Sequence, residues 1–116
     1  MYSPIPSISV EELAQYLAQN NQDQPLQLID VREPSEITKA YINGFEVFPL
    51  SYFEQWSNYI ITEYNSQVET FVLCHHGMRS AQMCQWLLNQ GFTNVKNIEG
   101  GIDAYSRLVD STIPRY

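Results

Sequence analysis

Apolar positions along the chain change period several times, and each change marks an element. Val10, Leu13, Ala14, Leu17 and Ala18 recur at helical spacing behind Ser9 and Glu12, which stand as a capping box does. Asn20-Asn21 closes this predicted helix, and Ile8-Ser9 before it reads as a short edge strand. Leu26 to Val31 is a compact apolar run suited to a strand buried on both faces. Glu33-Pro34-Ser35-Glu36, with proline at the first helical position, opens a short helix to about Lys39. Asn43-Gly44 is a turn signal and Glu46 to Leu50 a strand. Ser51 is the predicted cap of an aromatic-rich helix through Tyr52, Phe53, Trp56, Tyr59, Ile60 and Tyr64. Thr70 to Leu73 is the next strand, and Ser80 to Gln90 a helix stopped by Gly91. Asn94 to Ile98 is another strand, Gly100-Gly101 punctuates it, Ile102 to Val109 is a last helix, and Pro114 belongs to an extended tail.

Strands alternate with helices throughout, so the expected fold is an α/β sandwich with a mostly parallel central sheet flanked by helices. In such sheets ligands bind outside the carboxyl ends of the strands. Asp30 to Arg32, Cys74, and Glu99 to Gly101 all follow strand ends, so three segments are expected to converge on one crevice. With 116 residues, 44% of them apolar and 16% charged, the expectation is a single domain over residues 1–116 with one core. The formal charge of −7 argues against direct nucleic-acid binding. No apolar run is long enough to span a bilayer. The opening Met1-Tyr2-Ser3-Pro4-Ile5-Pro6 lacks the basic and apolar regions of a signal peptide, so a soluble, cytoplasmic protein is expected. Cys74 and Cys84 are too few for a disulfide scaffold and suit reduced thiols.

The chemistry concentrates in Thr70-Phe71-Val72-Leu73-Cys74-His75-His76-Gly77-Met78-Arg79-Ser80. A strand delivers one cysteine into a short loop, and a helix follows at once. Gly77 lets the backbone turn tightly and bring N–H groups inward, forming a concave nest for negative charge. The helix N-terminus adds roughly half a positive charge. His75, His76 and Arg79 supply further donors, and together these features favour a thiolate nucleophile on Cys74. Arg79 is open to two readings, contact with substrate or a structural pairing with Asp30, Glu99 or loop carbonyls. Of the two adjacent histidines, whose side chains normally diverge, one is expected to face the substrate. Cys84 shares a helical face with Ala81 and Leu88 and reads as core. Cys74, His75, His76 and Cys84 fit no standard zinc spacing, so no metal is expected.

Three anchors carry a family resemblance: Leu28-Ile29-Asp30-Val31-Arg32-Glu33-Pro34, the loop Cys74 to Ser80, and Asn97-Ile98-Glu99-Gly100-Gly101-Ile102. In this order and spacing the chain resembles the rhodanese-like sulfurtransferases from about Ser7 to Tyr105, specifically the single-domain type. The resemblance implies a three-layer sandwich. It also implies that Cys74 attacks the outer sulfur of a small donor such as thiosulfate and passes that sulfur, held as a persulfide, to cyanide, a thiol or a protein acceptor. His75, His76, Gly77, Met78, Arg79 and Ser80 would then bind substrate, with Asp30, Arg32 and Glu99 in support and no cofactor. Related phosphatases carry a longer loop; the four residues between Cys74 and Arg79 make a cradle for one sulfur atom rather than a tetrahedral phosphate. A phosphatase or arsenate reductase, or a non-catalytic binding module on the same scaffold, is the alternative. The chain departs from the family pattern at Ala40-Tyr41-Ile42-Asn43-Gly44-Phe45 and at Tyr105, where tryptophan is usual. Its ending, Val109 to Tyr116, resembles tails of small bacterial members and of domains fused to ubiquitin-like-protein activating enzymes.

Overall fold

In the computed structural model, which describes residues 5–19 and 25–116, the five strands form one sheet in the order β1-β5-β4-β2-β3. They are β1 (Ser7–Ile8), β2 (Leu26–Asp30), β3 (Glu46–Val47), β4 (Glu69–Leu73) and β5 (Val95–Ile98). Every pairing is parallel, so the sheet is parallel throughout rather than mostly so. The longest ladder joins β2 to β4, from Leu26 opposite Glu69 to Asp30 opposite Leu73. That register brings the ends of both strands to the same edge of the sheet, next to Cys74.

Side-chain alternation along β4 divides the interior. Phe71 and Leu73 face one cluster, built with Val10 and Leu13 of α1 (Val10–Gln19) and Ile102 and Tyr105 of α5 (Gly101–Leu108). Val72 and Cys74 face the other, built with Trp56 and Ile60 of α3 (Phe53–Glu63) and Met83, Cys84 and Leu87 of α4 (Met78–Asn89). The layers are therefore helix, sheet, helix. The remaining helix, α2 (Pro34–Ile37), is a single turn beside the strand ends.

The capping box at α1 is present: the Glu12 amide donates to Ser9 Oγ at 3.1 Å and the Ser9 amide to Glu12 Oε1 at 3.2 Å. Its predicted stop at Asn20-Asn21 lies outside the described residues, as do Met1 to Pro4. Ala18, placed on the apolar stripe, is exposed. Three boundaries differ from expectation. The third strand keeps only Glu46 and Val47, because the chain then rises into a 3₁₀ turn at Leu50–Tyr52. Ser51 sits inside that turn and bonds Glu33 instead of capping α3. Helix α4 begins at Met78, two positions before Ser80, because Gly77 takes the left-handed conformation (φ 105°) that starts it. Among the described residues no helix is long and apolar enough to cross a membrane.

Candidate active site

Strand β4 ends at Leu73 and the chain turns away through Cys74-His75-His76-Gly77 into α4. The turn is pinned from one side. Amides of Ile102 and Asp103, in the first turn of α5, donate to the carbonyls of Cys74 (2.9 Å) and His75 (3.1 Å). That approach explains Gly101: a Cβ there would stand 2.4 Å from both carbonyl oxygens. With its carbonyls held toward α5, the loop presents amides on its inner side. The Gly77 amide donates to Cys74 Sγ at 3.0 Å, and Ser80 Oγ lies 3.2 Å from the same sulfur, either atom being able to donate. The first turn of α4 adds amides that have no partner within the helix. Cys74 is 1% exposed, at the floor of this concavity.

Asn97, on the neighbouring strand, braces the loop. Its Nδ2 donates to the Gly77 carbonyl at 3.0 Å, and its Oδ1 accepts from Ser80 Oγ. Ser80 is thus a junction between Cys74 and β5, fully buried and inside the helix.

Arg79 pairs with neither Asp30 nor Glu99. It forks onto Glu36 of α2, Nη1 to Oε1 at 2.6 Å and Nη2 to Oε2 at 2.9 Å. Hydrogen bonds from Arg79 push the Glu36 carboxyl down to about 2; burial opposes this and the Tyr116 hydroxyl assists. Glu36 in turn raises the Arg79 guanidinium. Asp30 instead holds Arg32, whose Nε and Nη2 meet its carboxylate at 3.0 and 2.8 Å. Glu99 is exposed and accepts from Ser7 Oγ at 2.7 Å, tying β1 to the sheet edge without reaching Cys74.

The two histidines do not diverge. Their rings lie 3.8 Å apart and tilted by 33°. His76 is exposed; His75 is half-buried, and its Nε2 is out of solvent with no hydrogen-bond partner. Burial, then the charge of His76, lowers the His75 pKa, with Glu36 working the other way. Met78, at 80% exposure, forms part of the outer rim. Among the described residues the possible metal donors that come together are His75, His76 and Asp103, with ligand atoms within 4.8 Å of one another. Asp103 is already bound by Arg107 (3.1 Å) and Arg115 (3.0 Å), two cations that a metal would have to displace. Cys84 is fully buried, and burial pushes its thiol up to about 12, so it is core.

Glu36, Asn97 and Tyr116 were not among the expected site residues. Asn97 stood within a family anchor and Glu36 just after one, but nothing local marks Tyr116. Its hydroxyl lies 3.0 Å from Arg32 Nη1 and 2.7 Å from Glu36 Oε2. The converging strand ends therefore hold one cysteine in an amide-lined cradle, fenced by two ion pairs.

Known proteins resemble this chain in sequence and in fold. A protein of Arabidopsis thaliana named "Rhodanese-like/PpiC domain-containing protein 12, chloroplastic" is 49% identical over 113 residues, 97% of this chain and 38% of that one. A protein of Allochromatium vinosum named "Sulfurtransferase" is 31% identical over 100 residues, 86% of this chain and 87% of that one. The crystal structure of a rhodanese-like domain protein from Staphylococcus aureus superimposes with a TM-score of 0.75 at 26% identity, covering 97% of this chain and 99% of its own. The chain spans only 25% to 50% of several other curated relatives, the Arabidopsis protein among them. The profile of the rhodanese-like domain matches residues 9–108, which include every cradle residue from Cys74 to Ser80, and the chain belongs to that family.

Proposed function

We propose that this chain is a sulfurtransferase, related to the thiosulfate sulfurtransferases, that moves sulfane sulfur through a persulfide on Cys74. The observation that carries this reading is the setting of Cys74 Sγ, which faces the Gly77 amide at 3.0 Å and Ser80 Oγ at 3.2 Å. The Gly77 amide suits a thiolate and then the anionic outer sulfur of a persulfide, much as an oxyanion hole suits developing charge, while Ser80 gives its one proton to Asn97 and packs against the sulfur. In the first step Cys74 attacks the outer sulfur of a donor such as thiosulfate. The donor's S–S bond breaks, and sulfite leaves with the electron pair. In the second step cyanide, a small thiol or a protein thiol attacks that outer sulfur and releases the Cys74 thiolate. His75 to Ser80 form the cradle, Arg79 is held at its rim by Glu36, and Asp30 with Arg32 fixes the end of β2. The two free cysteines suit a reducing compartment such as the cytoplasm.

Reduced protein incubated with excess thiosulfate and freed of small molecules gains one sulfur atom by intact mass. Cys74→Ser loses the gain and Cys84→Ser keeps it. An unchanged mass in folded, reduced parent protein rejects the reading.

A further inference from the structure

The family match ends at residue 108, yet the segment after it returns to the candidate site. Three contacts fix it there. The Ile113 carbonyl accepts from Ser106 Oγ at 2.5 Å, and Arg115 Nε donates to Asp103 at 3.0 Å. Tyr116 then lays its ring on His75, with centroids 4.0 Å apart and planes within 9°. Its hydroxyl accepts from Arg32 Nη1 and donates to Glu36 Oε2, bridging the two ion pairs of the site.

The result is a mouth whose cations are committed. Arg32 is bound by Asp30 and Arg79 by Glu36, while Arg107 and Arg115 share Asp103. The Lys39 ammonium is drawn over the Tyr116 ring, 5.6 Å from its centroid. His75, next in sequence to the nucleophile, is kept under that ring. A charged imidazolium would there leave a buried N–H at Nε2 without an acceptor, a costly arrangement that favours neutral His75. His76 is exposed, as are Lys39, Arg107 and Arg115, but each of those three is already engaged by Tyr116 or Asp103.

Thiosulfate is a dianion, and its sulfonate must stay at the mouth while its outer sulfur enters the cradle. It needs a free cation there and finds the Glu36 carboxylate instead. The persulfide group of a thiol carrier, R–S–SH, brings at most one charge of its own, on the sulfur that the loop amides receive, and leaves the carrier's other charges several bonds away from the mouth. We infer that Tyr116 is a specificity-determining residue that keeps the mouth poor in free positive charge, so that the preferred donor is a thiol-borne persulfide rather than thiosulfate. This rests on the proposed sulfur transfer. The step is balanced: the Cys74 thiolate attacks the outer sulfur of R–S–SH and the bond from R–S breaks. R–S⁻ leaves with the electron pair, and the proton stays on the transferred sulfur as Cys74–S–SH.

The test measures second-order loading of Cys74 by glutathione persulfide and by thiosulfate, using intact mass, in the parent, Tyr116→Phe and Tyr116→Ala. The same proteins are alkylated with iodoacetamide and iodoacetate, a neutral and an anionic reagent that need no sulfur chemistry. The parent loads from the persulfide about tenfold faster or more. In Tyr116→Ala that preference drops about fivefold, and the iodoacetate-to-iodoacetamide rate ratio rises by a similar factor as His75 becomes solvated and able to charge. Tyr116→Phe, which keeps the ring, stays near the parent in both ratios, and adding His75→Gln to Tyr116→Ala returns the alkylation ratio toward the parent. Equal or faster loading by thiosulfate in the parent overturns the inference, as do unchanged ratios in a folded Tyr116→Ala. If that variant does not fold, the two donors compared on the parent decide. Should neither donor add sulfur while alkylation behaves as described, the sulfurtransferase reading fails and the account of the mouth's charge stands.

Discussion

Arg32 and Arg79 both fork onto a carboxylate at the same edge of the sheet, and they differ in almost everything else. The Arg32 side chain is 0% exposed and its partner Asp30 2%; Arg79 is 34% exposed and Glu36 16%. Asp30 also accepts from the Arg32 backbone amide at 3.0 Å, and the Tyr116 hydroxyl takes the outer guanidinium nitrogen, so the buried pair has its polar atoms satisfied locally. Taking two charges out of water costs several kcal/mol per ion, recovered only with such complete bonding. The Arg79 pair sits where solvent screens it, and pairs of that kind are worth about 0–1 kcal/mol. One pair is scaffold for the strand end; the other is a partly exposed clamp at the rim of the Cys74 loop. The same fork, at two depths, serves two purposes.

The contrast breaks most visibly at Arg32. Arg32→Ala leaves Asp30 buried without its cation, and urea unfolding is expected to show a loss of about 3–5 kcal/mol. A loss comparable to that for an exposed pair would erase the distinction.

Next in size is the acid response. Glu36 ionises at about 2 in the fold against an ordinary value of 4.5, so its pairing stabilises the protein fully above about pH 4.5. That contribution fades as pH falls through 4.5 and is gone below about 2. Comparing the parent with Glu36→Gln by denaturation across this range sharpens the comparison. A difference of about 1 kcal/mol or less at neutral pH is expected to close on acidification. A gap that widens in acid would mean that the carboxylate is not the stabilising form. Arg79→Lys should do least, about 0.5 kcal/mol or less, because the charge remains and only the fork is lost. A larger loss in the same assay would place Arg79 with the scaffold.

The order of elements and the Cys74 loop were legible because both are local. A strand run, a glycine that turns and a helix pattern stand within a dozen residues of one another, and Gly100-Gly101 marked the end of β5, though not its close approach to the Cys74 and His75 carbonyls. The partners of the charged groups were not legible. Arg79 meets Glu36 from 43 positions away and Arg32 meets Tyr116 from 84, so only the folded chain, with its tail pinned to α5, brings them together. The sequence pattern puts the start of α4 at Ser80, two positions late, because a glycine in the left-handed conformation begins the helix and leaves no side-chain signal, while the Ser80 hydroxyl is engaged by Cys74 and Asn97. The tail read as merely extended because a single tyrosine carries no periodic signal.

The strand order has a consequence for how the protein is made. Strand β4 gains β2 as a neighbour early, but its other side stays bare until β5 arrives, and β1 can pair only with β5. The α5 amides that anchor the Cys74 and His75 carbonyls follow later still. During synthesis on the ribosome, a nascent chain holding everything through α4 therefore carries its cysteine on an open sheet edge, with the cradle unbuilt. Chains stalled there are expected to surrender Cys74 to iodoacetamide more readily than released protein; equal rates in the two would show that the loop shapes itself without its late-arriving neighbours.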